Sequence, residues 1–225
     1  MSADGALVRG HEELEALVRE HHRTRAAEEA PTHRRDLTKL LALLPTAGAG
    51  LLAERALIAG TTIDRRSIAS HQAIAENLAG LYRGGDPSAV LPMAVAYADS
   101  LLELLDTPMG GREQRELSRI AVDVHAQVGL WGCHLHRPSL AYRYLATACD
   151  LAASTRDPVL HARGLGAFSY LFSSAPRGGR GGKPERALAL LNAALVRAER
   201  ADTFTRGWLA TWRADQHVAL GNVDA

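Results

Sequence analysis

The sequence predicts an all-α fold of antiparallel helical hairpins stacked side by side. Three observations carry that expectation. Ala, Leu and Arg dominate the 225 residues, whereas aromatic residues make up only 5% and β-branched residues are sparse, a balance that favours helix over strand. Apolar positions recur with helical period along most of the chain, and its second half repeats itself. Close to half of the residues are apolar (47%), enough to bury a sizeable core in one large domain or two small ones.

Periodicity and chain breakers place the helices in order. A charged helix at 11–29 stops before Pro31, and one at 34–44 stops at Pro45; a short one follows at 50–58. Helix 65–82 ends in "GGDPS" (84–88), and 88–105 runs from there to "TPMGG" (107–111). Helix 112–132 is the clearest: Leu117, Ile120, Ala121, Val124, Val128 and Trp131 recur at three-and-four spacing, opposite a polar ridge of Arg119, Asp123 and Gln127. Helices at 138–153, 158–173 and 184–200 each open on a proline, which a first helical turn tolerates, and the last spans 203–220. No strand is expected. The segments group as a linker helix (1–30), a helical connector region (31–106) and the repeats (107–225).

The repeat lies in "SLAYRYLATACDLAA" (139–153) and "ERALALLNAALVRAE" (185–199). They superimpose with Ala141 on Ala187, Tyr144 on Leu190, Leu145 on Leu191, Ala148 on Ala194 and Ala152 on Ala198. Small residues recur where two helices must approach closely. Each segment follows another helix, 112–132 and 158–173, and 203–220 begins a third unit. The 46-residue register (141 to 187) exceeds the ~34 of a tetratricopeptide repeat, and the glycine-rich insertion at 176–183 accounts for most of the excess. The expected architecture is therefore a tetratricopeptide-like right-handed solenoid. Such units bury their apolar faces only against neighbours, and the chain stops just after the third first-helix, so its C-terminus is expected to be truncated.

Charge gives no bulk reason to bind nucleic acid or an anionic membrane, since 26 basic residues nearly cancel 25 acidic ones. Two cysteines, Cys133 and Cys149, make no disulfide framework and fit a reducing compartment. Cys133, His134 and His136 cluster locally, with Cys149 one helix away, but they match no zinc spacing and fall at a turn; no metal site is assigned. "RGGRGGKP" fails as a phosphate loop, because Arg177 and Pro184 stand where a glycine and a hydroxyl residue are needed. His11, His21 and His22 lie on a charged helix, and His125 and His161 on first helices of hairpins. No nucleophile or metalloprotease motif is present, so a catalytic role is not expected and no cofactor is implied. In a helical-repeat array, first helices line the concave face. The candidate ligand- or partner-binding residues are accordingly Arg119, Asp123 and Gln127, then Arg163, then Arg213 and Gln216. A merely solvated face is the competing reading.

The segment "LSRIAVDVHAQVGLWGCHLHRPSLAYRYLATACDLAASTRDPVLHARGLGAFSYLF" resembles the tetratricopeptide-like regulatory half of actinobacterial transcriptional regulators of the Xre helix-turn-helix class, abundant in Streptomyces. The residues that carry the likeness are Leu130, Trp131 and Gly132, then Ala141 to Tyr144, then Arg156 and Asp157. "GTTIDRRSIASHQAIAENLAGLYRGGDPSAVLPMAVAYADSLLELL" is similar to the family's middle region and "HRRDLTKLLALLPTAGAG" to its linker. The family's N-terminal DNA-binding head has no counterpart here; "SADGALVRGHEELEALVREHHRTR" resembles its last residues and the linker helix. The resemblance implies a cytoplasmic regulatory and sensing domain that binds a protein, a peptide or a small ligand, or pairs with a second copy. It implies no direct DNA binding by this chain as it stands, and no membrane. The alternative is a stand-alone interaction scaffold unrelated to transcription.

One stretch imitates an export signal. "HRRDLTK" matches the outline of a twin-arginine motif at Arg34, Arg35, Leu37 and Lys39, before an apolar run from Leu40 to Ala53. That run is too short for a bilayer, which takes ~20 residues, and some thirty helical residues precede it. It is read as a buried connector helix.

Overall fold

The computed structural model describes residues 63–84, 86–173 and 182–222. The helices expected at 11–29, 34–44 and 50–58, the arginine pair and most of the glycine-rich insertion lie outside the described residues. Among the described residues there are seven helices and no strand: α1 (Arg65–Gly84), α2 (Pro87–Leu105), α3 (Gly111–His134), α4 (Pro138–Ser154), α5 (Pro158–Ser169), α6 (Pro184–Arg197) and α7 (Thr203–Ala219).

Their starts follow from capping chemistry. Asp64, Asp86, Asp157 and Asp202 precede α1, α2, α5 and α7, and each carboxylate accepts from an amide that has no partner inside the helix. Ser67 and Thr205 add hydroxyl bonds to Asp64 and Asp202, and these bonds hold both carboxyls below the usual range. Pro87, Pro158 and Pro184 stand in the first turns of their helices, where a missing N–H costs nothing.

The ends are equally local. Helix α3 stops in a paired-bond cap, with the His136 amide donating to Cys133 O (3.2 Å) and Arg137 to Gly132 O (2.8 Å). This cap needs a left-handed residue, and His136 supplies it at φ 56°. Arg156, two residues past α4, takes φ 58°. Helix α5 stops at Ser169, four residues before its expected end, because Leu171, Phe172 and Ser173 donate three residues back, to Phe168, Ser169 and Tyr170. Helix α6 likewise stops at Arg197 rather than 200, with Ala198 closing onto Ala194 and Leu195.

The chain divides into two compact units. The described part of the first carries α1, α2 and α3, each packed on the other two. All six residues of the expected apolar face of α3 are buried, each worth up to ~1.5–3 kcal/mol for a large side chain. Leu91, Ala94, Ala98 and Leu101 of α2 and Ile74 and Leu78 of α1 are buried as well, on helices that pack on α3. The Tyr82 ring lies flat on Trp131, with centroids 4.2 Å apart and planes 5° apart, so the C-terminal ends of α1 and α3 lie side by side. Helix α2 is long and apolar enough to cross a bilayer by length and composition; eight of its residues are buried, and α1 and α3 pack on it.

In the second unit α6 packs on both α5 and α7, and α4 meets α5 through small residues. A Cβ placed on Gly164 would lie 3.0 Å from the Ala152 methyl, 3.2 Å from Cys149 Cα and 3.3 Å from Ala148 O, so glycine is what allows the approach. Helix α5 also reaches α7, where Gly166 lies beneath Trp208 and Leu209. Burial follows the internal repeat: Ala141 and Ala187, Leu145 and Leu191, Ala148 and Ala194, and Ala152 and Ala198 are all fully buried. Tyr144 and Leu190 break the pattern, the first buried and the second half-buried. The Lys183 amide donates to Phe172 O at 2.7 Å and clasps the two flanks of the glycine-rich stretch together.

Candidate functional site

In the first unit the polar ridge of α3 stands opposite its buried face, as four-residue spacing requires. Arg119 is exposed, while Asp123 and Gln127 are half-buried. In the second unit Arg163 is half-buried on α5 and Arg213 is exposed on α7. Gln216 departs from the expected open face. It lies two turns beyond Leu209, on the buried stripe Thr205–Leu209–Gln216, and is only 5% exposed. Its Nε2 donates to Trp212 O at 3.4 Å and its Oε1 has no partner.

Cys133, His134 and His136 fall at the C-terminal end of α3 and its cap. Cys133 is half-buried, and burial pushes its thiol up to about 11, so it is protonated at neutral pH and is a poor nucleophile or ligand. His134 is exposed, with Nδ1 3.1 Å from the Tyr82 hydroxyl, and His136 gives its backbone to the cap while its side chain is exposed. Burial pushes the Cys149 thiol up to about 12, with the Asp150 charge adding to the shift. Among the described residues no three His, Cys, Asp or Glu side chains are grouped to hold a metal ion. His125 is fully buried, with Nδ1 2.7 Å from Ala121 O, and His161 is half-buried on α5.

Two clusters are not singled out by the sequence reading. Trp208 and Trp212 of α7 stack obliquely at 4.7 Å, and Tyr170 meets Trp212 at 5.1 Å; all three are half-buried. The four-residue spacing of the tryptophans already places them on one face; nothing local assigns Tyr170 to them. In the first unit His71 and Tyr97 form a buried pair, with His71 Nδ1 3.0 Å from the Tyr97 hydroxyl.

The arrangement offers charged and amide groups on helix faces, beside thiols held in the unreactive form. No family model, no curated protein and no solved structure matches the chain.

Proposed function

We propose that this chain is the regulatory helical-repeat domain of a cytoplasmic transcriptional regulator, a tetratricopeptide-like stack that holds a protein, peptide or small-ligand signal. The DNA-binding output belongs to an attached or partner domain. The observation that carries the reading is the match between repeat and burial: four pairs of equivalent residues, on α4 and on α6 with its C-cap Ala198, are all fully buried. A first helix, α5, also touches the next first helix, α7, where Gly166 lies beneath Trp208 and Leu209, as a stacked hairpin array requires. The likeness of the sequence to the sensor half of Xre-class regulators supplies the link to transcription.

Binding rests on the exposed and half-buried polar residues of the first helices: Arg119, Asp123 and Gln127 in one unit, Arg163 and Arg213 in the other. Surface charges of this kind act mainly on association rate and specificity. The test is affinity capture with the full chain in an extract of the cells that encode it, beside an Arg119→Ala/Gln127→Ala variant and an Arg163→Ala/Arg213→Ala variant. Recovery of a helix-turn-helix protein or of promoter DNA, weakened by either variant, supports the reading. Recovery of unrelated enzymes and no regulator refutes the transcriptional assignment in favour of a stand-alone scaffold. Capture unchanged in both variants removes these residues from the binding face.

A further inference from the structure

His71 on α1 is 2% exposed and Tyr97 on α2 is 4% exposed, and two hydrogen bonds join them. The Tyr97 hydroxyl donates its single hydrogen to the His71 carbonyl oxygen at 3.0 Å. Its oxygen, 3.0 Å from His71 Nδ1, is therefore left to accept, which assigns the ring hydrogen to Nδ1. Nε2 is then a bare lone pair, buried and without a partner. A second proton would have to sit on Nε2, where no acceptor meets it, and a buried unpaired charge is costly.

We propose that this pair is an acid-sensitive latch, in which protonation of His71 releases α1 from α2 and α3 and uncovers the apolar face carrying Ile68, Ile74 and Leu78. Burial holds the imidazole below its ordinary value and is the whole of the cause. From α2 the group facing His71 is the Tyr97 hydroxyl. Among the described residues, neither Asp99 and Glu103 on α2 nor Glu113, Glu116, Arg119 and Asp123 on α3 enter the causes of the shift, and burial alone opposes the imidazolium. The ring keeps its Nδ1 bond to the Tyr97 oxygen in either state, but the second N–H of the charged ring, on buried Nε2, meets no acceptor among the described residues. The sign follows: stability of the α1 contact is full above the unfolded-state value, ~6.5, and is lost as pH falls below it.

The test is amide hydrogen exchange on the full chain between about pH 7.5 and 5.5, corrected for the intrinsic pH dependence of exchange. In the wild type, α1 peptides lose protection by up to ~ten-fold per pH unit below ~6.5, while α3 and α6 peptides hold theirs. In His71→Gln the protection of α1 becomes independent of pH. Tyr97→Phe lowers α1 protection already at neutral pH and keeps the slope. Loss of protection in α1, α2 and α3 together would reduce His71 to an ordinary stability residue and overturn the latch, as would a slope that survives in His71→Gln. If His71→Gln fails to fold, the comparison of α1 with α3 in the wild type decides.

Discussion

Replacing Gly166 by alanine adds one methyl group at a place where the structure leaves no room for it. The new Cβ would lie 2.5 Å from Leu209 Cδ2 and 2.9 Å from two ring carbons of Trp208, against ~3.5–4.0 Å for comfortable carbon contacts. Relief requires Leu209, which is fully buried, or the indole of Trp208 to move by about an ångström, and overpacking of that kind costs ~1–3 kcal/mol. Alanine also gains ~0.8–1.0 kcal/mol over glycine inside a helix. The control is Gly207→Ala on α7, where an added Cβ meets nothing within 4 Å and only the gain remains. The helix gain is common to both variants and cancels in their difference. Gly166→Ala is therefore expected to be ~1–3 kcal/mol less stable than Gly207→Ala, with the wild type between them or level with Gly166→Ala. Both glycines lie in the same unit, so urea unfolding followed by tryptophan fluorescence and far-ultraviolet circular dichroism reads the same transition in each. Equal midpoints for the two variants would refute the close approach of α5 to α7, and would remove that support from the proposed hairpin stack.

His136→Gly relieves a left-handed residue in the cap of α3; the backbone gain of ~1–2 kcal/mol is partly offset by a floppier unfolded chain, for a net stabilisation of ~0.5–1 kcal/mol by urea midpoint. Asp157→Ala removes the acceptor of the Val159 and Leu160 amides and should cost ~1 kcal/mol, with Asp157→Asn recovering most of it. With Cys133 held at about 11, about one thiol in a thousand is ionised at pH 8. A disulfide reagent is therefore expected to label Cys133 slowly and Cys149 only in denaturant; prompt labelling of either in the native protein would contradict the burial.

The helices were legible because their signals are local. Pro87 and Pro158 follow aspartates that cap, and the six apolar residues of α3 repeat within one helix, so spacing alone orients them. Ends that depend on the backbone beyond the helix were less so: periodicity continues through Tyr170 and Phe172, but their amides turn to carbonyls three residues back. Gln216 shows a second limit. Spacing places it near Arg213, but it also places it two turns from Leu209, and only the packing of α7 decides that the side chain is buried. The His71–Tyr97 pair spans 26 positions, and no pattern in either segment announces the other. On α3 polarity separates the ridge from the buried face, with Arg119 exposed and Asp123 and Gln127 half-buried, since a charged side chain seldom stays inside unpaired.

The clasp between Lys183 and Phe172 has a consequence for how this chain can vary. Because one backbone bond already joins the flanks of the glycine-rich stretch, the length of chain between them is uncoupled from the packing of α5 on α6. Each doubling of that length costs only ~0.6 kcal/mol in closure entropy. An epitope or a fluorescent reporter spliced in between Phe172 and Lys183 is therefore expected to leave the packing of α5 on α6 in place.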